Sequence, residues 1–298
     1  MSTILQSFSE AGAELIAKLQ NCVARIDAGR RLPASALVWS NDGILVTASH
    51  VIQREDRISV TLFEGAPRAA TLIGRDAGTD LAAVRIDAST HAALPVANLE
   101  NLKVGHLVFA LGRPGQRIQA TLGFVSGVGD KWRTPFGGVL DVFMRTEIAM
   151  YPGFSGGPLL NTQGELLGMN SSAFSRHFNL AAPATTIKRV VEELLQYGRV
   201  RRGYLGIGVQ PVDLPAAMQQ QIQQENGLLI VSVAPDGPAE KYGLLLGDTI
   251  FAIEGQPVEQ MDQLLASLGG DRIQQEIKIG IVRGGQVQEA RVVVGENT

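Results

Sequence analysis

From Cys22 to about Ile187 the chain is a succession of short runs of β-branched and aliphatic residues, each closed off by Gly, Asn, Asp or Pro. Leu37-Val38-Trp39, Ile44-Leu45-Val46, Ile58-Ser59-Val60-Thr61-Leu62, Ala83-Val84-Arg85-Ile86, Leu107-Val108-Phe109-Ala110, Gly123-Phe124-Val125-Ser126, Val142-Phe143-Met144-Arg145 and Glu165-Leu166-Leu167-Gly168-Met169 are such runs. Short strands with regular turn signals build barrels or a sandwich, and this length holds two small barrels. Helical patterns flank the region. Ile4, Phe8, Ala11, Leu15, Ile16 and Leu19 share one helical face within residues 1–20. The segment Ala184–Gly198 opens on hydroxyl residues able to cap, carries apolar positions at Ile187, Val190, Val191, Leu194 and Leu195, and stops at a glycine. A domain boundary is expected in Arg199–Gly203. The remainder, residues 204–298, mixes strands such as Leu228–Val233 with a helix from about Val258 to Leu268, and its glutamine cluster at Gln219–Gln224 is expected on an exposed helix or loop.

Composition removes several function classes. With 45% hydrophobic and 18% charged residues the 298-residue chain is a core-forming protein of about two domains. Lys+Arg 26 against Asp+Glu 29 leaves a charge of -3 with no basic run, so neither nucleic acid nor anionic lipid is an expected partner. Cys22 is the only cysteine, which excludes an intrachain disulfide and reads as a small buried residue. No His-Glu-x-x-His or paired-cysteine spacing suits a metal, and Gly206-Ile207-Gly208 and Gly127-Val128-Gly129 lack the rest of a phosphate-binding fingerprint, so neither metal nor cofactor is expected. The first ten residues have neither the early positive charge nor the apolar run of a secretory signal, and no apolar stretch reaches membrane-spanning length. On that reading the expected address is the cytoplasm, with the periplasm or a membrane-associated site as alternatives.

One stretch is organised for chemistry. In Gly153-Phe154-Ser155-Gly156-Gly157-Pro158 a serine stands between glycines ahead of an apolar run. The glycines permit a turn closed to other residues, and the backbone N–H groups of Gly153 and Ser155 can converge as an oxyanion hole. A serine hydroxyl needs a histidine to take its proton and an acid to orient that histidine. Of His50, His91, His106 and His177, only His50 ends a strand-like run, Ile44–Ala48, that leads to a barrel rim; the other three read as surface or satisfied histidines. The acid candidate is Asp80, before the run Leu81–Val84, with Asp76 as a turn residue and runner-up. The order His50, Asp80, Ser155 is that of chymotrypsin-like double barrels and differs from that of subtilisin or α/β-hydrolases.

Three segments, Thr47-Ala48-Ser49-His50-Val51, Asp80-Leu81-Ala82-Ala83-Val84 and Gly153-Phe154-Ser155-Gly156-Gly157-Pro158-Leu159, resemble the signatures of the HtrA (Deg) family of trypsin-like serine proteases. The resemblance continues through Asn179–Pro183 and into Arg201-Arg202-Gly203-Tyr204-Leu205-Gly206-Ile207, which is similar to that family's entry into a PDZ domain. It implies a mostly β protein: an N-terminal amphipathic helix (1–20), a trypsin-like double β-barrel domain (21–198) and a PDZ domain (204–298). It implies an endopeptidase of protein quality control that cuts unfolded or misfolded polypeptides with a His50-Asp80-Ser155 triad. Gly153 and Ser155 would form the oxyanion hole, and Ser171, Ser172 and Ala173 would pair with substrate and leave a pocket open to aliphatic side chains. Tyr204, Leu205, Gly206 and Ile207 would bind peptide C-termini, and the chain would be a trimer. Phe154 departs from the small polar residue, often asparagine, usual in the family; a ring there is expected to alter the pocket or hold the oxyanion loop at rest. The rival reading is a catalytically silent peptide-binding or chaperone-like scaffold.

Overall fold

A computed structural model describes residues 3–296 except 30, 64, 89–92 and 176. The chain divides into two units, Met1–Val200 and Arg201–Thr298. The first begins with helix α1 (Ile4–Leu19), capped by Thr3, whose Oγ1 accepts the Gln6 N–H at 3.2 Å. Leu15, Ile16 and Leu19 pack against a cluster containing Cys22, Phe109 and Leu160, while Ile4 and Phe8 of the same apolar stripe stay exposed.

Strands β1 (Val23–Asp27), β2 (Ala34–Val38), β3 (Ile44–Ala48), β4 (Ile58–Thr61), β5 (Arg68–Asp76) and β6 (Leu81–Ile86) close a first barrel in the order β1-β2-β3-β6-β5-β4. Strand β2 is buried on both faces. Side chains alternate along a strand, so Ala34, Ala36 and Val38 enter the first barrel's core, while Leu37 joins Phe109 and Leu160 of the second barrel. Ser35 lies on the same outward face as Leu37.

The second barrel is made by β7 (Leu107–Gly112), β8 (Gln119–Gly129), β11 (Phe143–Glu147), β12 (Pro158–Leu160), β13 (Leu166–Ser171) and β14 (Asn179–Pro183), closed in the order β11-β14-β13-β12-β7-β8. A small hairpin, β9 (Trp132–Arg133) and β10 (Val139–Leu140), leaves it between β8 and β11. Helix α2 (Ala184–Tyr197) buries Ile187, Val190, Val191 and Leu194 in the first barrel's core. It ends at Gly198, whose φ of +71° and N–H bond to the Leu194 carbonyl mark a left-handed cap. The expected hydroxyl cap does not form. Pro183 occupies the cap position, and Thr186 instead donates to the Asp141 carboxylate at 3.0 Å and accepts the Asp141 N–H.

In the second unit β16 (Ile207–Asp213), β17 (Asn226–Val233), β18 (Thr249–Ile253), β20 (Glu276–Arg283) and β21 (Gln286–Val293) form a sheet in that order, with β19 (Gln256–Pro257) added to β18. Strand β15 (Gly203–Tyr204) pairs with β22 (Gly295–Glu296). Helices α3 (Ala216–Ile222), α4 (Pro238–Lys241) and α5 (Met261–Ala266) complete the unit, and α3, which carries most of the glutamine cluster, has no buried residue. Helix α5 is shorter than the expected Val258–Leu268, because the Val258 N–H bonds to the Phe251 carbonyl and a Gln260–Gln263 capping box sets the start. Asp248 is buried, and Arg283 reaches it with two N–H groups at 2.6 and 2.7 Å.

Candidate active site

Asp80 stands in the turn between β5 and β6 with φ +53°, a left-handed conformation that few residues other than glycine, asparagine and aspartate adopt. Asp76 builds that turn, its carboxylate accepting the N–H groups of Gly78 and Thr79 and the Thr79 hydroxyl. The β9–β10 hairpin clamps it from outside: Thr134 donates to the Gly78 carbonyl at 2.6 Å, and a Cβ on Gly138 would lie 2.1 Å from the Gly78 carbonyl carbon.

Asp80 is 2% exposed, and its carboxylate is satisfied by several donors. His50 Nδ1 lies 2.8 and 3.0 Å from its two oxygens, the His50 backbone N–H donates at 2.9 Å, and the Ser171 hydroxyl donates at 2.5 Å. A carboxylate only accepts, so the proton sits on Nδ1 and Nε2, 3.5 Å from Ser172 Oγ, keeps its lone pair. That is the tautomer a general base requires.

Ser155 is presented from the second barrel, in the turn between β11 and β12. Its Oγ lies 3.0 Å from Ser172 Oγ and accepts the Ser172 N–H at 3.3 Å, while Ser172 Oγ lies 3.5 Å from His50 Nε2. Ser155 Oγ is thus bonded to Ser172 and not to His50. The turn before it, Tyr151-Pro152-Gly153-Phe154, has proline second, glycine at φ +88° third and a Phe154 N–H to Tyr151 carbonyl bond of 3.1 Å, which is the type II pattern. Neither the Gly153 nor the Ser155 N–H has an acceptor among the described residues. Both residues line a cleft of about 370 Å³ that Leu32, Pro33, Met150, Tyr151 and Ser172 also border.

Two first-barrel residues hold this turn: Ser35, which carried no signal in the sequence, and Thr47, which the sequence marked only as the start of the Thr47–Val51 segment. Ser35 donates its hydroxyl to the Gly153 carbonyl at 2.6 Å and accepts the Arg113 N–H at 2.7 Å, and its own N–H bonds to the Ser155 carbonyl. Thr47 donates to the Ser35 carbonyl at 2.8 Å. Gly156 lies against both, and a Cβ there would be 2.0 Å from the Ser35 oxygen.

Phe154 does not face the pocket. The ring is fully buried in the second barrel's core with Val108, Leu159 and Leu167, and it fills the space that Gly112 leaves: a Cβ on Gly112 would lie 2.6 Å from it. The expectation that it alters the pocket is corrected, because the turn sends residue 154 inward while its neighbours face the cleft.

Of Ser171, Ser172 and Ala173, only Ser172 borders the cleft; the Ser171 side chain is committed to Asp80 and the Ala173 N–H bonds to Ser171 Oγ. His106 and His177 are exposed, and His91 lies outside the described residues. In the second unit Leu205 is buried, Gly206 has φ +77°, and the N–H groups of Ala239 and Ala234 bond to the carbonyls of Leu205 and Gly206. Ile207 opens β16, the sheet's edge strand. Helix α5 packs beside β16 with Leu264 buried and Met261 and Leu265 exposed.

Two closed six-stranded barrels with a His–Asp pair on one and a serine turn on the other define a trypsin-like serine peptidase fold, followed by a separate sheet domain. The family comparisons agree: residues 34–169 match the trypsin-like peptidase domain and residues 203–294 the PDZ domain. The chain belongs to the HtrA family. It is 34% identical over 273 residues to a probable periplasmic serine endoprotease DegP-like of Halomonas elongata, covering 90% of this chain and 57% of the relative. A relative of the same description in Chlamydia pneumoniae is 34% identical over 86% of this chain and 54% of its own length. The chain thus spans about half the length of these curated relatives. Among solved structures, an HtrA-type protease AlgW with decapeptide superposes with a TM-score of 0.80 at 26% identity, over 96% of this chain and 98% of the other. A serine endoprotease from Yersinia pestis gives 0.77 at 27% identity, over 96% and 98%. These names correct the expected cytoplasmic address: the relatives are periplasmic-type proteins. That expectation rested on the composition of the first ten residues, which says nothing about the compartment in which this fold works.

Proposed function

We propose that the chain is a serine endopeptidase acting on unfolded or misfolded polypeptides. Ser155 is the nucleophile, His50 the general base and Asp80 its orienter. The observation that carries the reading is the buried Asp80 carboxylate on His50 Nδ1 at 2.8 Å, linked through Ser172 to a cleft-lining serine whose turn has two N–H groups without an acceptor among the described residues. In acylation Ser155 Oγ attacks the scissile carbonyl carbon and its proton passes to Nε2. The imidazolium so formed is stabilised by Asp80, and the oxyanion is received by the Gly153 and Ser155 N–H groups. The proton then leaves with the amine, and water repeats the sequence on the acyl-enzyme.

Peptide binding by the PDZ domain is consistent with the peptide-bound neighbour. The finer reading is that free C-terminal carboxylates are caught at Tyr204-Leu205-Gly206-Ile207, with the peptide added to the β16 edge and its side chains against Met261 and Leu265. A trimer built with the N-terminal segment is the assembly this reading favours, since Ile4 and Phe8 leave part of the α1 stripe uncovered in one copy.

Casein cleavage and fluorophosphonate labelling by the full chain test the catalytic reading. Both are expected to vanish in Ser155→Ala with the fold retained; cleavage near the parent rate would refute it. For the PDZ domain, a peptide ending in an apolar residue is expected to lose most of its affinity when its C-terminus is amidated.

A further inference from the structure

We infer that Ser172 is a positioning residue that withholds the nucleophile from its base in the unliganded enzyme, an inference that rests on the catalytic reading above. Ser155 Oγ has two partners here, the hydroxyl and the backbone N–H of Ser172, at 3.0 and 3.3 Å. The same Ser172 hydroxyl lies 3.5 Å from His50 Nε2. One side chain therefore contacts both nucleophile and base.

The base is otherwise ready, since Asp80 fixes the Nδ1–H tautomer and leaves the Nε2 lone pair for a hydroxyl. Only one hydroxyl can use that lone pair at a time. A Ser172 proton directed at Nε2 occupies it, and a Ser172 oxygen that accepts from Ser155 draws the nucleophile's proton away from it. Either orientation opposes a direct Ser155–His50 bond, which general-base catalysis needs within about 3.2 Å. Ser172 follows the last residue of β13 and borders the cleft, so a substrate seated in the cleft meets this side chain and can displace it. Releasing Ser155 costs a hydrogen bond of ordinary strength, which sets the expected effect at about fivefold.

The test compares the full chain with Ser172→Ala and Ser172→Thr, and with Ser155→Ala as the blank, by the second-order rate of fluorophosphonate labelling and by kcat and KM on a chromogenic peptide. Ser172→Ala is expected to label about fivefold faster and to raise kcat with little change in KM, at an unchanged thermal midpoint. Ser172→Thr keeps the hydroxyl and is expected to return to the slow rate. Equal or slower labelling of Ser172→Ala, with the parent still labelled at Ser155, overturns this inference and leaves the peptidase reading standing. If neither parent nor variant reacts at Ser155, both fall.

Discussion

Replacing Ser35 by alanine removes a hydroxyl that joins the two barrels at the oxyanion turn. Its two bonds are unequal in what they leave behind. The Arg113 N–H, in a residue only 2% exposed, loses its acceptor where water does not reach, at a cost of about 1–3 kcal/mol. The Gly153 carbonyl is half-buried at the rim of the cleft and can be rehydrated, so its loss is nearer a net hydrogen bond, about 1 kcal/mol. Together they predict a destabilisation of about 2–4 kcal/mol, which denaturant titration of the full chain measures from the shift in midpoint at constant slope. The kinetic consequence is separate. In the proposed mechanism the Gly153 N–H acts on the transition state, so a turn that has lost its tether is expected to lower kcat more than it raises KM, by about tenfold, short of the 10²–10³ typical of deleting an oxyanion donor. The kinetic constants are read at 25 °C in denaturant-free buffer. A loss of less than about 0.5 kcal/mol together with an unchanged kcat would refute the tether.

Three further outcomes follow from the site and core. Asp80→Asn keeps a residue type that tolerates φ +53° but offers an amide to His50, so kcat is expected to fall by about 10⁴ with the unfolding midpoint little changed; a drop under tenfold would remove Asp80 from its role. Phe154→Asn puts an amide into the second barrel's core and leaves a void beside Gly112, predicting a loss of about 3–5 kcal/mol and no gain in turnover, both checked on the same samples by denaturant titration and peptide cleavage. Burial pushes the Cys22 thiol from its ordinary value near 9 up to about 11. The folded state then holds a proton that the unfolded chain releases, so this contribution to stability is present below about pH 9 and is lost as pH rises towards 11. The difference in unfolding midpoint between the parent and Cys22→Ala should shrink or reverse over that window, and native Cys22 should resist thiol reagents at neutral pH.

Much of this architecture was legible because it depends on local chemistry. The runs Ile44–Val46 and Leu107–Ala110 are apolar enough to be strands wherever they fall, and Gly198 ends its helix through a property of its own backbone. The order of histidine, aspartate and serine likewise needs no coordinates. What escaped depends on partners distant in sequence. Phe154 points inward because Gly112, 42 positions earlier in the chain, leaves room for a ring, and nothing in residue 154 announces it. Thr186 forgoes its cap because Asp141 stands opposite it. Ser35 looks like an ordinary small residue until the barrels bring Gly153 beside it, and Ser172, which the sequence marks for substrate pairing, gives no sign there of its contact with His50.

The strut from Ser35 and Thr47 to the Ser155 turn has a consequence for how such an enzyme is made. Under the proposed function, a chain still being synthesised would be a substrate for its own kind. Here each half of the site is completed by the other barrel: Ser171 and the β9–β10 hairpin hold Asp80 and its turn, while Ser35 and Thr47 hold the serine turn, and α2 fills the first barrel's core. On the proposed mechanism neither half alone holds the whole triad, so assembly of the site and burial of the protein's own cleavable segments would be one event.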